Sequence, residues 1–228
     1  MSLVDKVIMA ISSHEDYEEV MKTVRKNAYG PTLLVGGKVY RTVSEIIHGT
    51  ECGSKDADWD VLIMGDVKTA YVPSGWNAVT SYYPGSKTNS LGLVKQTRKY
   101  SAKTWVAPIV KIDNKIDMIG IRDIPGDGTL NSYFKVVPLD VQRIALDIEK
   151  RQLFGPVAIN AIKRRNVKIN STKGCLPRLD IKRYIVDKAT SLGYTYEGQV
   201  VSKKPCDCYG NDTKSLWDYG CKLPQFHS

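Results

Sequence analysis

Two aspartates spaced one residue apart, a third aspartate on a separate apolar run and a pair of adjacent glycines are the residues whose types and spacing suit chemistry on phosphates. Asp58 and Asp60 flank Trp59 and lead directly into Val61-Leu62-Ile63-Met64. That run reads as a buried strand, and residues at i and i+2 of a strand project from the same face. Like charges held together on one face are costly unless a cation sits between them. Oxygen ligands on a rigid strand suit Mg²⁺, which takes one or two carboxylates together with substrate phosphates and water. Asp117 interrupts the apolar pattern Ile116-Asp117-Met118-Ile119 and offers the third carboxylate of a two-ion site. Asp113 competes for that role, but Asn114 follows it and the pair has the composition of a turn.

The glycines come earlier. Gly36 and Gly37 follow the apolar stretch Thr32-Leu33-Leu34-Val35 and precede a helical pattern in which Val39, Tyr40, Val43, Ile46 and Ile47 form one stripe, with Gly49 as its stop. Without a Cβ, the two glycines let backbone N–H groups approach an anion closely, at the helix end whose dipole favours phosphate. Each signal alone has an ordinary explanation: a glycine pair is more often a tight turn, two aspartates a solvated strand start, and a lone acid an exposed strand residue. In this order, on these elements, they point together to metal-assisted phosphoryl or nucleotidyl transfer.

The combination of a glycine pair after a strand, Asp-x-Asp opening another and a lone Asp inside a third resembles the nucleotidyltransferase superfamily of the DNA polymerase beta type. Gly36-Gly37-Lys38-Val39-Tyr40-Arg41 is similar to the head of tRNA CCA-adding enzymes and bacterial poly(A) polymerases. The resemblance covers roughly residues 30 to 121. It implies an α+β fold: a mixed β-sheet nucleotidyltransferase core flanked by helices, followed by a mainly helical C-terminal region. It further implies that Asp58 and Asp60 bind two Mg²⁺ ions, that Asp117 helps activate an acceptor hydroxyl, and that Gly36 and Gly37, near Lys38 or Arg41, cradle the triphosphate of a nucleoside triphosphate such as ATP. The chain differs from the CCA-adding pattern in carrying Tyr40 before Arg41, Thr42 after it, and an added loop over residues 50–55.

Composition fits such an enzyme. A chain of 228 residues, 42% hydrophobic, can bury a full core as one large domain or two small ones. No apolar run reaches transmembrane length, and Met1 to Ala10 lacks the basic segment of a signal peptide, so a cytoplasmic protein without membrane contact is expected. Charge is uneven: residues 1–138 hold 17 Lys plus Arg against 15 Asp plus Glu, and residues 139–228 hold 16 against 9. A basic second part beside a carboxylate site suggests that one part does chemistry while the other holds a polyanion, RNA being favoured as acceptor. The densest cluster is Lys163-Arg164-Arg165 with Lys168, at the end of an expected helix whose dipole would favour cations in any case. Lys95, Arg98, Lys99 and Lys103 form a second.

Ser12 with Glu15 resembles a capping box, and Tyr17, Val20, Met21 and Val24 give the next helix a buried stripe. Strand signals follow near 32–35, 60–64, 78–83, 104–110, 115–121 and 132–137. From Asp140 the period turns helical: Val141, Ile144, Ala145 and Ile148 mark one helix, Pro156 starts another, and Ile181, Tyr184, Ile185 and Leu192 mark a third that ends at Gly193. The switch near 138 is the expected boundary between a catalytic domain, 1–138, and a basic, mainly helical region, 139–228, that could bind the acceptor.

Other features carry less. Gly85-Ser86-Lys87-Thr88 lacks the upstream glycine of a phosphate loop, since Ser81 stands there, and reads as a polar turn. His14 and His48 are isolated, and a helix-end dipole explains His48. Five cysteines, an odd number, argue for reduced thiols. Cys206, Cys208, Cys221 and His227 could supply four ligands to Zn²⁺, but Cys-x-Cys lacks the usual two-residue gap, and a loose tail with incidental thiols is the plainer reading.

Overall fold

Ser2 starts the first helix: its hydroxyl accepts the Asp5 N–H at 3.2 Å while the Asp5 carboxylate accepts the Ser2 N–H at 3.2 Å, a reciprocal capping box opening α1 (Leu3–Ser12). The box expected at Ser12 and Glu15 does not form. Ser12 ends α1, its hydroxyl donating back to Met9 O, and α2 (Tyr17–Asn27) begins after Asp16. The computed structural model describes residues 1–67, 71–76, 78–82, 108–112, 115–124, 126–171 and 181–197. Asp113, the Gly85 to Thr88 turn, the basic residues from Lys95 to Lys103 and the zinc candidates Cys206, Cys208, Cys221 and His227 lie outside the described residues.

After α2 come β1 (Ala28–Tyr29), β2 (Thr32–Val35), α3 (Gly36–His48), β3 (Trp59–Ile63), β4 (Asp66–Val67), β5 (Ala78–Tyr82), β6 (Pro108–Ile112) and β7 (Ile116–Gly120). Then follow α4 (Leu130–Val136), β8 (Ala145–Asp147), β9 (Gln152–Phe154), α5 (Pro156–Arg164), β10 (Asn166–Lys168), α6 (Ile181–Leu192) and β11 (Thr195–Glu197). Seven strands form one mixed sheet in the order β5-β6-β7-β3-β2-β8-β9, in which β3 and β7 run parallel and the other neighbours antiparallel. The protein is thus a mixed α/β fold, with six helices among the described residues. Among those residues no helix is long and apolar enough to cross a membrane.

Strand alternation divides the core in two. Leu34, Trp59, Val61, Ile63, Ile116, Met118 and Leu146 pack on one side with residues of α1, α2, α3, α5 and α6. Leu33, Val35, Leu62 and Ala145 pack on the other with Tyr133 and Val137. Each fully buried aliphatic side chain contributes about 1.5–3 kcal/mol relative to exposure.

Two segments differ from expectation. The strand expected at 132–137 is the helix α4. Leu130, Tyr133, Phe134 and Val137 fall at i, i+3, i+4 and i+7, a helical period. Asp127 holds the start, its Oδ1 accepting from Thr129 N at 3.1 Å and Ser132 Oγ at 2.6 Å. The helix expected from Val141 to Ile148 is a 3₁₀ turn (Asp140–Gln142) followed by β8 and the hairpin to β9. Asp147 supports that hairpin by accepting Lys150 N at 2.9 Å. Its apolar residues are buried by sheet pairing, which a helical reading of the same spacing does not anticipate. Because β8 pairs with β2, the sheet runs across position 138, and the composition switch there does not divide it. The described part of 139–228 holds four short strands, β8 to β11, beside the helices α5 and α6.

Asn27, fully buried at the end of α2, ties the 71–76 segment to the helices: its Nδ2 donates to Tyr71 O at 2.6 Å and its Oδ1 accepts Tyr71 N at 2.9 Å. Asn27→Ala leaves both Tyr71 groups without these partners and should lower the unfolding free energy by about 2 kcal/mol, read from urea denaturation.

Candidate active site

β2 passes into α3 without a loop, and nothing local caps the helix: Val35 occupies the N-cap position with no side-chain hydrogen bond. The cap comes from the neighbouring strand. Antiparallel pairing of β2 with β3 sets Val35 opposite Asp60, and Asp60 Oδ2 accepts the Gly37 N–H at 3.3 Å. The carboxylate lies at the positive end of the helix dipole, an arrangement worth about 0.3–1 kcal/mol where exposed and more where partly buried. Gly36 makes this possible. It has φ +64, and a Cβ there would sit 1.9 Å from Asp60 Oδ2. The glycine pair therefore accommodates a carboxylate of the chain itself.

Parallel pairing of β3 with β7 puts Asp117 directly beside Asp60 in register, so both half-buried acids leave the sheet on the same side. Tyr133 of α4 lies close enough to feel this site: burial, then the charge of Asp60, pushes its phenol far above the usual range. Asp58 is exposed and stands one residue ahead of β3. Among the described residues no three His, Cys, Asp or Glu side chains are gathered as a metal site would need, so Asp58 does not close around the Asp60 and Asp117 pair. Two adjacent carboxylates match the donor set of one Mg²⁺ completed by water and phosphate. Among the described residues, no third carboxylate is gathered for a second ion.

Trp59, between the two acids of the motif, faces the opposite side of the sheet and fixes the strand start. Its Nε1 donates to Asp16 Oδ2 at 3.0 Å, and His14 meets its ring edge-on at 5.7 Å. Lys38 belongs to this anchor. Only 2% exposed, it places Nζ 4.6 Å from the centre of the Trp59 ring and donates to Lys55 O at 3.0 Å. Burial pushes its ammonium down, with Asp16 and Asp58 opposing. Arg41 donates to Cys52 O and, through Nη2, to Ser191 Oγ at 3.3 Å. Glu45 accepts Cys52 N at 2.9 Å, Ser54 N at 3.0 Å and the Ser54 hydroxyl.

Lys38, Arg41 and Glu45 thus form one polar stripe of α3, at i, i+3 and i+7, clamping the 52–55 backbone ahead of Asp58. The resemblance implies a place for Lys38 and Arg41 near a triphosphate; here their end groups hold this loop. Glu45 was missed, though its spacing from the two cations was the available signal.

The basic cluster lies elsewhere. Arg165 Nε donates to His48 Nδ1 at 3.3 Å, and because arginine only donates, His48 Nε2 carries the proton and donates to Ile162 O at 2.9 Å. Lys168 pairs with Glu197 at 2.7 Å. Arg165 of this cluster therefore lies at the His48 end of α3, about 18 Å of helix from Gly36. Compared with protein-family models and with curated proteins, the chain matches none.

Gly36→Ala should cost about 2 kcal/mol or more of stability, through a strained positive φ and overlap with Asp60, read by urea denaturation. Burial raises the Glu45 carboxyl, but its hydrogen bonds from Ser54 and Cys52 outweigh this, and the net position is below the ordinary 4.5. The stability these bonds add is fully present above pH 4.5 and is lost as pH falls through the lower folded value. The stability difference between wild type and Glu45→Gln should accordingly be constant at neutral pH and shrink below pH 4.5, measured by denaturation across pH.

Proposed function

We propose that the protein is a metal-dependent nucleotidyltransferase with a core of the polymerase beta type, moving a nucleoside monophosphate from a nucleoside triphosphate to an acceptor hydroxyl. The observation that carries this reading is the side-by-side register of Asp60 and Asp117, with the start of α3 directed at Asp60. Strand, glycine turn, helix and acid strand come in the order that the resemblance implies. The basic excess after residue 138 favours an RNA end as acceptor.

In this mechanism Asp60 and Asp117 would hold Mg²⁺, with Asp58 joining on nucleotide binding if two ions are used. When bound, Mg²⁺ neutralises charge on the phosphates and on the departing pyrophosphate. The α3 N-terminus adds a fixed positive potential beside the phosphates. Asp117 takes the proton of the acceptor hydroxyl as its oxygen attacks the α-phosphorus, forming the new phosphodiester bond. The bond to the bridging oxygen breaks, and pyrophosphate leaves with that electron pair. Placement and charge neutralisation supply most of the rate.

A second reading has its own support. Since Asp58 is not gathered with the other two acids, a nucleotide-binding member of this fold that transfers nothing fits the same geometry. Incubation with each labelled nucleoside triphosphate, Mg²⁺ and total cellular RNA separates the two. Transfer should appear in one acceptor fraction, and Asp60→Asn and Asp117→Asn should each reduce it at least about a hundredfold with circular dichroism unchanged. Full activity in either variant refutes the assignment, and nucleotide binding without pyrophosphate release favours the second reading.

A further inference from the structure

One polar group at the start of α3 is used neither by the Asp60 cap nor by the loop clamp. Tyr40 is 1% exposed, and among the described residues its buried hydroxyl has no hydrogen-bond partner. Helical side chains lean toward the N-terminus of their helix, and this one brings its Oη to 4.0 Å from the point that a Cβ on Gly37 would occupy. Arg41 Nε lies 4.0 Å from that same point, and Ala57 Cβ lies 3.3 Å from it. The terminal nitrogens of Arg41 are engaged by Cys52 O and Ser191 Oγ, which orients the guanidinium and leaves Nε for another acceptor.

The missing side chain of Gly37 therefore leaves a small space, tighter than ordinary contact against Ala57 and bordered by a phenol O–H and a guanidinium N–H, within the first turn of a thirteen-residue helix. A buried hydroxyl without a partner costs stability that phenylalanine, of nearly the same shape, would not. A ligand oxygen entering the gap would supply the acceptor that the hydroxyl lacks.

We propose that this gap is the subsite for a non-bridging phosphate oxygen of the bound nucleotide, with Tyr40 Oη and Arg41 Nε as its donors. The inference rests on the proposed function and adds Tyr40 to it. It also relocates the anion: the oxygen sits on the Ala57 side of Gly37, because Asp60 already fills the space over Gly36. Ala57 forms the wall of the gap, so the loop before β3 is the element that yields as the oxygen enters.

The test uses thermal shift and calorimetric titration of the full chain with two probes, magnesium ATP and magnesium tripolyphosphate. Wild type should bind both. Tyr40→Phe should raise the ligand-free Tm while binding each probe about tenfold more weakly. Gly37→Ala, which fills the gap with a methyl group, should weaken both probes with an unchanged far-ultraviolet spectrum. Wild-type affinity in Tyr40→Phe overturns the subsite while leaving the proposed function standing. A loss confined to ATP overturns it as well, since the hydroxyl would then touch the nucleoside. A lower ligand-free Tm in Tyr40→Phe shows that the hydroxyl already has a partner and also overturns it. A wild-type protein that binds neither probe overturns the subsite and the proposed function together.

Discussion

The carboxylate of Asp60 against the first turn of α3 is the contact around which the central strands are arranged. A helix that begins directly at the end of a strand leaves N–H groups without intrahelical partners, and here no Ser, Thr, Asp or Asn precedes it to serve as a cap. The partner comes from across the sheet, so capping α3, pairing β2 with β3 and setting the direction of one acid are a single event. Gly36 is the steric condition for it. The same geometry places negative charge where the helix dipole is most favourable, and β7 then brings Asp117 alongside at an electrostatic cost that a bound cation would relieve.

Around this contact the molecule assigns its polar residues a division of labour. The side of the sheet that carries Trp59 is held by an aromatic and cationic anchor of His14, Asp16 and Lys38, whereas the other side carries the acids. Burying a lysine is expensive unless its ammonium finds acceptors, and Lys38 finds the Lys55 carbonyl and the face of an indole. Arg41 and Glu45 continue the same stripe, so the loop ahead of Asp58 is positioned by α3.

Much of this was legible in the sequence where period and punctuation agree. Thr32 to Val35 as a strand, a helix from Gly36 stopped by Gly49, and a helix begun by Pro156 all follow from alternation, stripe spacing and glycine or proline placement. Asp58 and Asp60 were expected to share a face, with Asp117 converging on them as the third carboxylate of one site; the structure sets Asp60 beside Asp117 instead. The strand pairing that makes Asp60 and Asp117 direct neighbours is not readable from the sequence, because strand order and register depend on contacts distant in sequence. Spacing misled at Ala145, where apolar residues at helical intervals are buried by strand pairing, and at Tyr133, where β-prone residues follow a helical period fixed by Asp127. The resemblance places Lys38 and Arg41 near a triphosphate, whereas Lys38 Nζ and the terminal nitrogens of Arg41 hold the loop and Ser191; nothing in one sequence gives the direction of a side chain relative to a loop that folds back onto its helix.

The parallel pairing of β3 and β7 has a consequence for how the protein comes into being. Neighbouring parallel strands cannot be joined by a tight hairpin, so the chain must travel through β4, β5 and β6 before Ile116 can meet Trp59. Closing so long a loop is slow compared with forming α3 or the β8–β9 hairpin. A polypeptide emerging from the ribosome therefore carries one acid with its helix cap well before it carries the adjacent pair, which is a property of the finished sheet and not of its first-made half.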